Sequence, residues 1–250
     1  MGAVRRAVVV TGGGSGIGRA TAEAFAEAGD RVLVVGRSAA ALEATAAASE
    51  RIRVLVADLR DEGAPRAVVG AALSAFGRLD VLVNNAAQQR FGALGTLDRA
   101  AVAAQLETNL LAPLFLVREA LDALEACGGT VVNVGSAGSL GRRAWPHNAV
   151  YGLSKAALDF LTRTWAVELA PRGIRCVGVA PGVVDTGFAV RSGMPEEGYE
   201  EFLASVAGHV PCRRVGGARD IAWWIVRLCR AEGAYANGVV QAVDGGLSVT

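Results

Sequence analysis

Two kinds of apolar pattern alternate along the chain. Short runs rich in Val, Ile and Leu, scarcely broken by polar residues, occupy residues 6–10, 31–35, 52–57, 79–83, 130–135, 174–180 and 239–243. A strand with one wet face shows apolar residues at every second position, whereas an unbroken run signals burial on both faces, as in a parallel sheet. Longer Ala-, Leu- and Glu-rich segments lie between these runs. They predict helices over residues 17–28, 39–49, 64–76, 99–126 and 149–170, with two more near 196–207 and 218–229. Strand–helix–strand alternation with right-handed crossovers makes this an α/β chain: a Rossmann-like, doubly wound parallel sheet of seven strands with helices on both faces. Ligands in such sheets bind at the carboxyl ends of the strands, near the reversal of strand order. Functional motifs are therefore expected just after strands.

No low-complexity linker, charge block or repeat divides the 250 residues, so residues 1–250 read as a single domain. A chain of this length buries roughly three-quarters of its unfolded surface around one core. The net charge of +1 is spread along the chain, which argues against a nucleic-acid or membrane-surface protein. The N-terminal apolar stretch is too short for a signal peptide, and no run approaches the ~20 apolar residues of a membrane span. Cys127, Cys176, Cys212 and Cys229 form no C-x-x-C pair, and His147 and His209 join them at no zinc spacing. No metal site is expected, and the thiols read as small core residues of a reduced, cytoplasmic protein.

After the first strand comes Thr11-Gly12-Gly13-Gly14-Ser15-Gly16-Ile17-Gly18, opening a helix. Glycines permit a tight turn and let backbone N–H groups approach a pyrophosphate, and the helix N-terminus adds partial positive charge. Gly12, Ser15, Gly16, Ile17 and Gly18 are the candidate phosphate-binding residues. Folds that bind NAD place an Asp or Glu at the end of the second strand for the ribose 2′-hydroxyl. Here Gly36 stands at that position and Arg37 and Ser38 follow. An Arg pairs with a 2′-phosphate through a charge-assisted fork, so NADP(H) is expected, with NAD(H) as the alternative. Tyr151 and Lys155, four apart on a predicted helix, share one face. Free Tyr has a pKa of roughly 10, and a neighbouring ammonium favours phenolate. A lowered Tyr151 pKa, suited to a general acid or base, is the expectation.

The spacing G-x-x-x-G-x-G, with Y-x-x-x-K downstream, resembles the short-chain dehydrogenase/reductase family, and the resemblance extends over essentially the whole chain. It implies interconversion of a ketone or aldehyde with an alcohol by hydride transfer, with Tyr151 as proton donor or acceptor. Ser136, after the fifth strand, would hold the substrate oxygen. Asn109, in Thr108-Asn109-Leu110, resembles the family's helix Asn that orders a water leading to Lys155. Asp58-Leu59 resembles the pair that contacts adenine. Asn84-Asn85-Ala86-Ala87 stands where the family usually has Asn-Asn-Ala-Gly, so Ala87 is a departure, while Asn85 and Ala86 keep the pattern against cofactor. The run Pro181-Gly182-Val183-Val184-Asp185-Thr186 matches P-G-x-V-x-T, and Pro181, Gly182, Val184 and Thr186 would border the nicotinamide. Val243-Asp244-Gly245-Gly246 is similar to the family's last strand and turn.

The substrate is less legible. The span from Ser136 to Tyr151 is slightly longer than usual for the family and carries Arg142, Arg143, Trp145 and His147, which line either an entrance for an anionic substrate or a solvated loop. Asn148 reads as the cap of the Tyr151 helix. Residues 187–201, with Phe188, Met194, Pro195 and Tyr199, read as part of a lid near 187–207, and Gln88, Gln89, Arg90 and Phe91 as further contributors. A β-keto thioester, a polyketide intermediate, a sugar, a steroid-like alcohol and a natural-product ketone all remain open. In relatives, the helices corresponding to 149–170, with Leu158, Phe160, Leu161 and Trp165, and to 106–124 pair across a two-fold, which implies a homotetramer or homodimer. Two other readings stand beside the NADP(H)-dependent ketoreductase: an NAD-dependent alcohol dehydrogenase in the oxidative direction, and a non-catalytic cofactor sensor.

Overall fold

The computed structural model describes residues 5–141 and 145–250; Arg142 and Arg143, singled out above, lie outside the described residues. The chain runs β1 (Ala7–Thr11), α1 (Gly16–Glu27), β2 (Arg31–Gly36), α2 (Ala39–Ala46), β3 (Ile52–Val56), α3 (Ala64–Phe76) and β4 (Val81–Asn84). It continues through α4 (Arg99–Leu106), α5 (Ala112–Glu125), β5 (Thr130–Val134), α6 (Ala149–Glu168) and β6 (Arg175–Pro181). The last part is β7 (Val184–Asp185), α7 (Phe188–Arg191), α8 (Tyr199–His209), β8 (Gly216–Gly217), α9 (Ala218–Leu228) and β9 (Val240–Val243). Among the described residues, seven strands form one parallel sheet in the order β3-β2-β1-β4-β5-β6-β9. The order reverses between β1 and β4, and the glycine turn stands at that crevice.

The unbroken apolar runs are explained by burial on both sides. Val8 and Val10 of β1 face a cluster with Phe25, Ile221 and Ile225 under α1 and α9, while Val9 faces Val68, Leu116 and Leu124 under α3 and α5. A polar residue at any of the three would lose water without gaining a partner.

The predicted helix over 99–126 is an interrupted rod. Pro113 has no N–H to give the carbonyl of Asn109, four residues back, and its ring crowds that carbonyl. The rod widens there into a π-turn over Glu107–Leu111, closed by Ala112 N–H on the Glu107 carbonyl. Such turns collect at functional sites, and this one carries Asn109. By length and hydropathy alone, Arg99–Glu125 is long enough to cross a membrane, against the expectation that no run approaches a span. Its Leu116, Val117, Ala120 and Leu124 are spent on the sheet face instead, in the manner of a core helix.

Candidate active site

Local sequence builds the turn after β1. Gly12 and Gly16 hold φ of +66° and +52°, where a side chain is strained. A Cβ on Gly12 would lie 2.9 Å from the Ala86 Cα, and one on Gly18 only 2.2 Å from the Gly12 carbonyl oxygen. The helix start is left open for an anion. Ser15 makes no side-chain capping bond and the first turn of α1, which includes Ile17, has no acid. Arg19 braces the turn from behind, its guanidinium on the Gly14 carbonyl at 2.7 Å and the Thr45 hydroxyl at 3.1 Å.

The strand ends are stitched by side chains. Thr11 Oγ1 accepts from the N–H groups of Asn85 and Ala86, both at 3.0 Å, and Asn85 Nδ2 returns a 2.8 Å bond to the Thr11 carbonyl. Asn84 Nδ2 donates to Asn133 Oδ1 (2.9 Å), and Asn133 Nδ2 to Thr162 on α6 (2.9 Å). Ala87 continues this segment, half-buried.

At the other side of the turn, Arg37 leaves β2 exposed, and among the described residues it makes no ion pair. Ser38 caps α2, accepting from the Ala41 N–H at 3.3 Å. Asp58 is held by Arg60, with Nη2 2.5 Å from Oδ2. That pairing first of all, with Arg37 adding a smaller pull, brings the Asp58 carboxyl down to about 2. Leu59 packs against the α3 side of the core. Sequence reasoning overlooked Arg60; its only signal is an Arg two residues after the Asp in a turn.

Ser136, Tyr151 and Lys155 converge beyond β5. Ser136 caps the 3₁₀ turn Ala137–Ser139, accepting from Gly138 N–H at 3.2 Å. Lys155 is 2% exposed, with Nζ donating to the Val134 carbonyl (2.7 Å) and lying 5.7 Å from the Tyr151 ring centroid. The Tyr151 ring stands 6.4 Å from that of Phe188, across the mouth of the site. The expected lowering of the Tyr151 pKa is corrected. Burial pushes the phenol up to about 12 against a downward pull from the Ser136 hydroxyl. Burial also brings the Lys155 ammonium down to about 8. Sharing a helix face does not bring the ammonium to the phenol oxygen: its short bond goes to a main-chain carbonyl.

Asn109 is fully buried. Its Oδ1 accepts from Gln88 N–H (2.7 Å), and its Nδ2 donates to the Gln88 carbonyl (2.8 Å) and to Ser154 Oγ (3.0 Å). It thus clips the exit of β4 to the second turn of α6, where Ser154 donates back to the Tyr151 carbonyl at 2.8 Å. Asn148 precedes α6 without a side-chain capping bond, contrary to expectation, because its Oδ1 accepts from Gln89 Nε2 at 2.8 Å.

Pro181 and Gly182 end β6 against the last strand; a Cβ on Gly182 would lie 2.8 Å from the Asp244 Cα. Val184 then pairs with Gly216 in a two-stranded ladder too short for periodicity to reveal. Thr186 faces the glycine turn, its Cβ 3.0 Å from where a Cβ of Gly16 would be. Tyr199 pins this segment, accepting from the N–H groups of Thr186 (3.3 Å) and Gly187 (3.1 Å) and donating to Asp185 Oδ1 (2.9 Å). An uncapped helix start, glycines that keep a cradle clear and an exposed guanidinium at its edge fit a dinucleotide phosphate chain.

A doubly wound sheet with this cradle beside a buried Lys and a Tyr belongs to the class of nicotinamide-dependent oxidoreductases. Residues 12–248 match the family model described as enoyl-(acyl carrier protein) reductase. D-erythrulose reductase of Gallus gallus is 35% identical, over 98% of this chain and 96% of its own. A Caenorhabditis elegans short-chain dehydrogenase/reductase of unknown function, solved with cofactor, superposes with a TM-score of 0.92 at 35% identity, covering 98% and 96% of the two chains. The 3-ketoacyl-(acyl-carrier-protein) reductase of Brucella melitensis, complexed with NADH, superposes at 0.89 with 27% identity, over 98% of this chain and all of its own. The chain belongs to the short-chain dehydrogenase/reductase family and is an oxidoreductase of alcohol and carbonyl substrates that uses a nicotinamide cofactor.

Proposed function

We propose that this enzyme is an NADP(H)-dependent reductase of a small ketone or aldehyde. The observation that carries the reading is the end of β2, where no carboxylate stands and the Arg37 guanidinium is exposed and unpaired among the described residues, while Asp58 and Arg60 neutralise each other. A carboxylate after β2 would accept from the ribose 2′-hydroxyl and repel a 2′-phosphate; Arg37 does the reverse. An NAD-dependent dehydrogenase would need such an acceptor.

Gly12, Ser15, Gly16, Ile17 and Gly18 would hold the pyrophosphate, Arg37 and Ser38 the 2′-phosphate, and Asp58 and Leu59 the adenine. Asn85, Ala86 and Ala87, with Pro181, Gly182, Val184 and Thr186, would border the nicotinamide ribose and ring. When bound, the nicotinamide supplies the hydride. Ser136 positions the substrate oxygen, Tyr151 delivers the proton to it, Lys155 is placed to replenish that proton, and Asn109 keeps α6 in register with the exit of β4. Residues 187–207, pinned through Tyr199, form the lid of a single domain over 1–250.

A fluorescence titration with NADPH and NADH side by side tests the cofactor assignment. NADPH is expected to bind more tightly. Arg37→Ala is expected to weaken NADPH by about 10–100-fold, the loss of a charged hydrogen bond, with NADH within about twofold. Equal binding of the two by the unaltered protein would sink the assignment.

A homodimer or homotetramer is proposed on α6. Leu153, Phe160 and Val167, seven apart and so on one stripe, are 61%, 63% and 78% exposed, whereas Leu158 and Trp165 turn into the core. Phe160→Glu is expected to shift the mass seen by light scattering to a smaller species; an unchanged mass would place any interface elsewhere.

A further inference from the structure

A polar chain lies behind Ser136. Asp159 follows Lys155 by one turn of α6 and is 3% exposed. Ser139, at the end of the 3₁₀ turn, places its hydroxyl oxygen 2.5 Å from Asp159 Oδ2 and 2.5 Å from the main-chain oxygen of Ser136. Three oxygens therefore make two hydrogen-bond contacts, and each contact needs a hydrogen. A serine hydroxyl carries one and a carbonyl none. A proton on the Asp159 carboxyl supplies the second without dividing the hydroxyl hydrogen between two acceptors.

The surroundings agree. Asp159 Oδ1 has no hydrogen-bond partner among the described residues, and a Cβ on Gly135 would lie 2.6 Å from it. That oxygen is pressed against main chain, where an ionised carboxylate would lack the donors that offset lost water. The charged groups acting on it are Lys155 and Arg163, both on α6, and both favour ionisation. Neither is in an ion pair with it among the described residues: Lys155 Nζ is given to Val134, and Arg163 is exposed. Burial outweighs both of them and the Ser139 hydrogen bond, which also favours ionisation, and holds the carboxyl above the usual carboxylate range.

We propose that Asp159 and Ser139 are positioning residues, a carboxylic acid–hydroxyl–carbonyl chain that fixes Ser136 against the helix bearing Tyr151 and Lys155. Asp159 acts in it as a neutral donor and not as a counter-charge to Lys155. The inference rests on the reading of Ser136, Tyr151 and Lys155 as the catalytic group.

Asp159→Asn preserves a donor of the same shape, whereas Asp159→Leu and Ser139→Ala break the chain. The first readout is the infrared difference spectrum of the wild-type protein against Asp159→Asn at neutral pH. The C=O stretch of a protonated carboxylic acid, sensitive to deuteration, is expected; carboxylate bands alone would overturn the proposal. The second readout is turnover of NADPH with ethyl 3-oxobutanoate as activated ketone. Asp159→Asn is expected to keep kcat within about twofold with its pH profile in place, and the other two to lose about tenfold in kcat from a misplaced Ser136, with KM for NADPH little changed. If the wild type reduces no ketone, the proposed reaction falls while the infrared band still decides where the proton is. A displaced pH profile in Asp159→Asn, with kcat as low as in Asp159→Leu, would show that the charge matters and would overturn the neutral-donor role.

Discussion

Tyr151→Phe is expected to lower kcat for ketone reduction by about 10²–10⁴-fold, the range for loss of a positioned general acid, with fold and NADPH affinity retained. The substitution keeps the ring that stands 6.4 Å from Phe188 and removes only the hydroxyl beside Ser136. At about 12, the phenol is protonated throughout the working range, so the chain's own groups hold it loaded as a donor. Reduction should therefore show no limb from Tyr151 near neutrality. Alcohol oxidation, which needs the phenolate, should speed up with rising pH. Steady-state rates in both directions, with NADPH titrations of each protein, check this. A Phe variant that keeps even a third of the wild-type kcat would remove Tyr151 from the proton step and revive the reading of a non-catalytic cofactor sensor.

What could be read from the chain before its folding depended on how local each feature is. The strands were legible because burial on both faces leaves an unbroken apolar run, as in Val8, Val9 and Val10. The glycine turn was legible because positive φ and close approach at Gly12 and Gly16 admit nothing larger. Pro113 carried the signal for the π-turn, but only geometry shows that the widening falls on Asn109. Contacts between distant residues left no trace: the Ser139–Asp159 bond spans twenty residues and the Gln89–Asn148 bond fifty-nine. The Tyr151 pKa was misjudged for a related reason. An i, i+4 spacing says that two side chains share a face, and it is silent on how deeply each is buried and on which carbonyl takes the ammonium.

That same burial makes Lys155 costly to the fold, with a consequence measurable without substrate. Its ammonium sits at about 8 in the folded chain against 10.5 for the unperturbed group. Between those values the unfolded chain binds a proton that the folded chain does not, so stability rises with pH from about 8 to about 10.5. Below about 8 both states are protonated and the whole penalty is present; 10.5 − 8 is 2.5 units, or about 3 kcal/mol at 1.36 kcal/mol per unit. Lys155→Met keeps an unbranched stem without the charge but leaves the Val134 carbonyl, now bonded at 2.7 Å, without its donor. Losing that bond costs about 1–3 kcal/mol. At neutral pH the variant is therefore expected to be as stable as the wild type or up to about 2 kcal/mol more so, a gain of up to about 4–8 °C in Tm, while its ketone reduction is lost. Raising the pH through about 8 towards 10 should shift the difference towards the wild type by most of that ~3 kcal/mol, to zero and past it, because the wild type sheds its penalty while the variant still lacks the bond to the Val134 carbonyl. Thermal unfolding of both proteins at matched ionic strength decides the matter. A difference that does not move towards the wild type over that range would mean that Lys155 is not carried as a strained ammonium, and its role as the local proton source for Tyr151 would have to be given up.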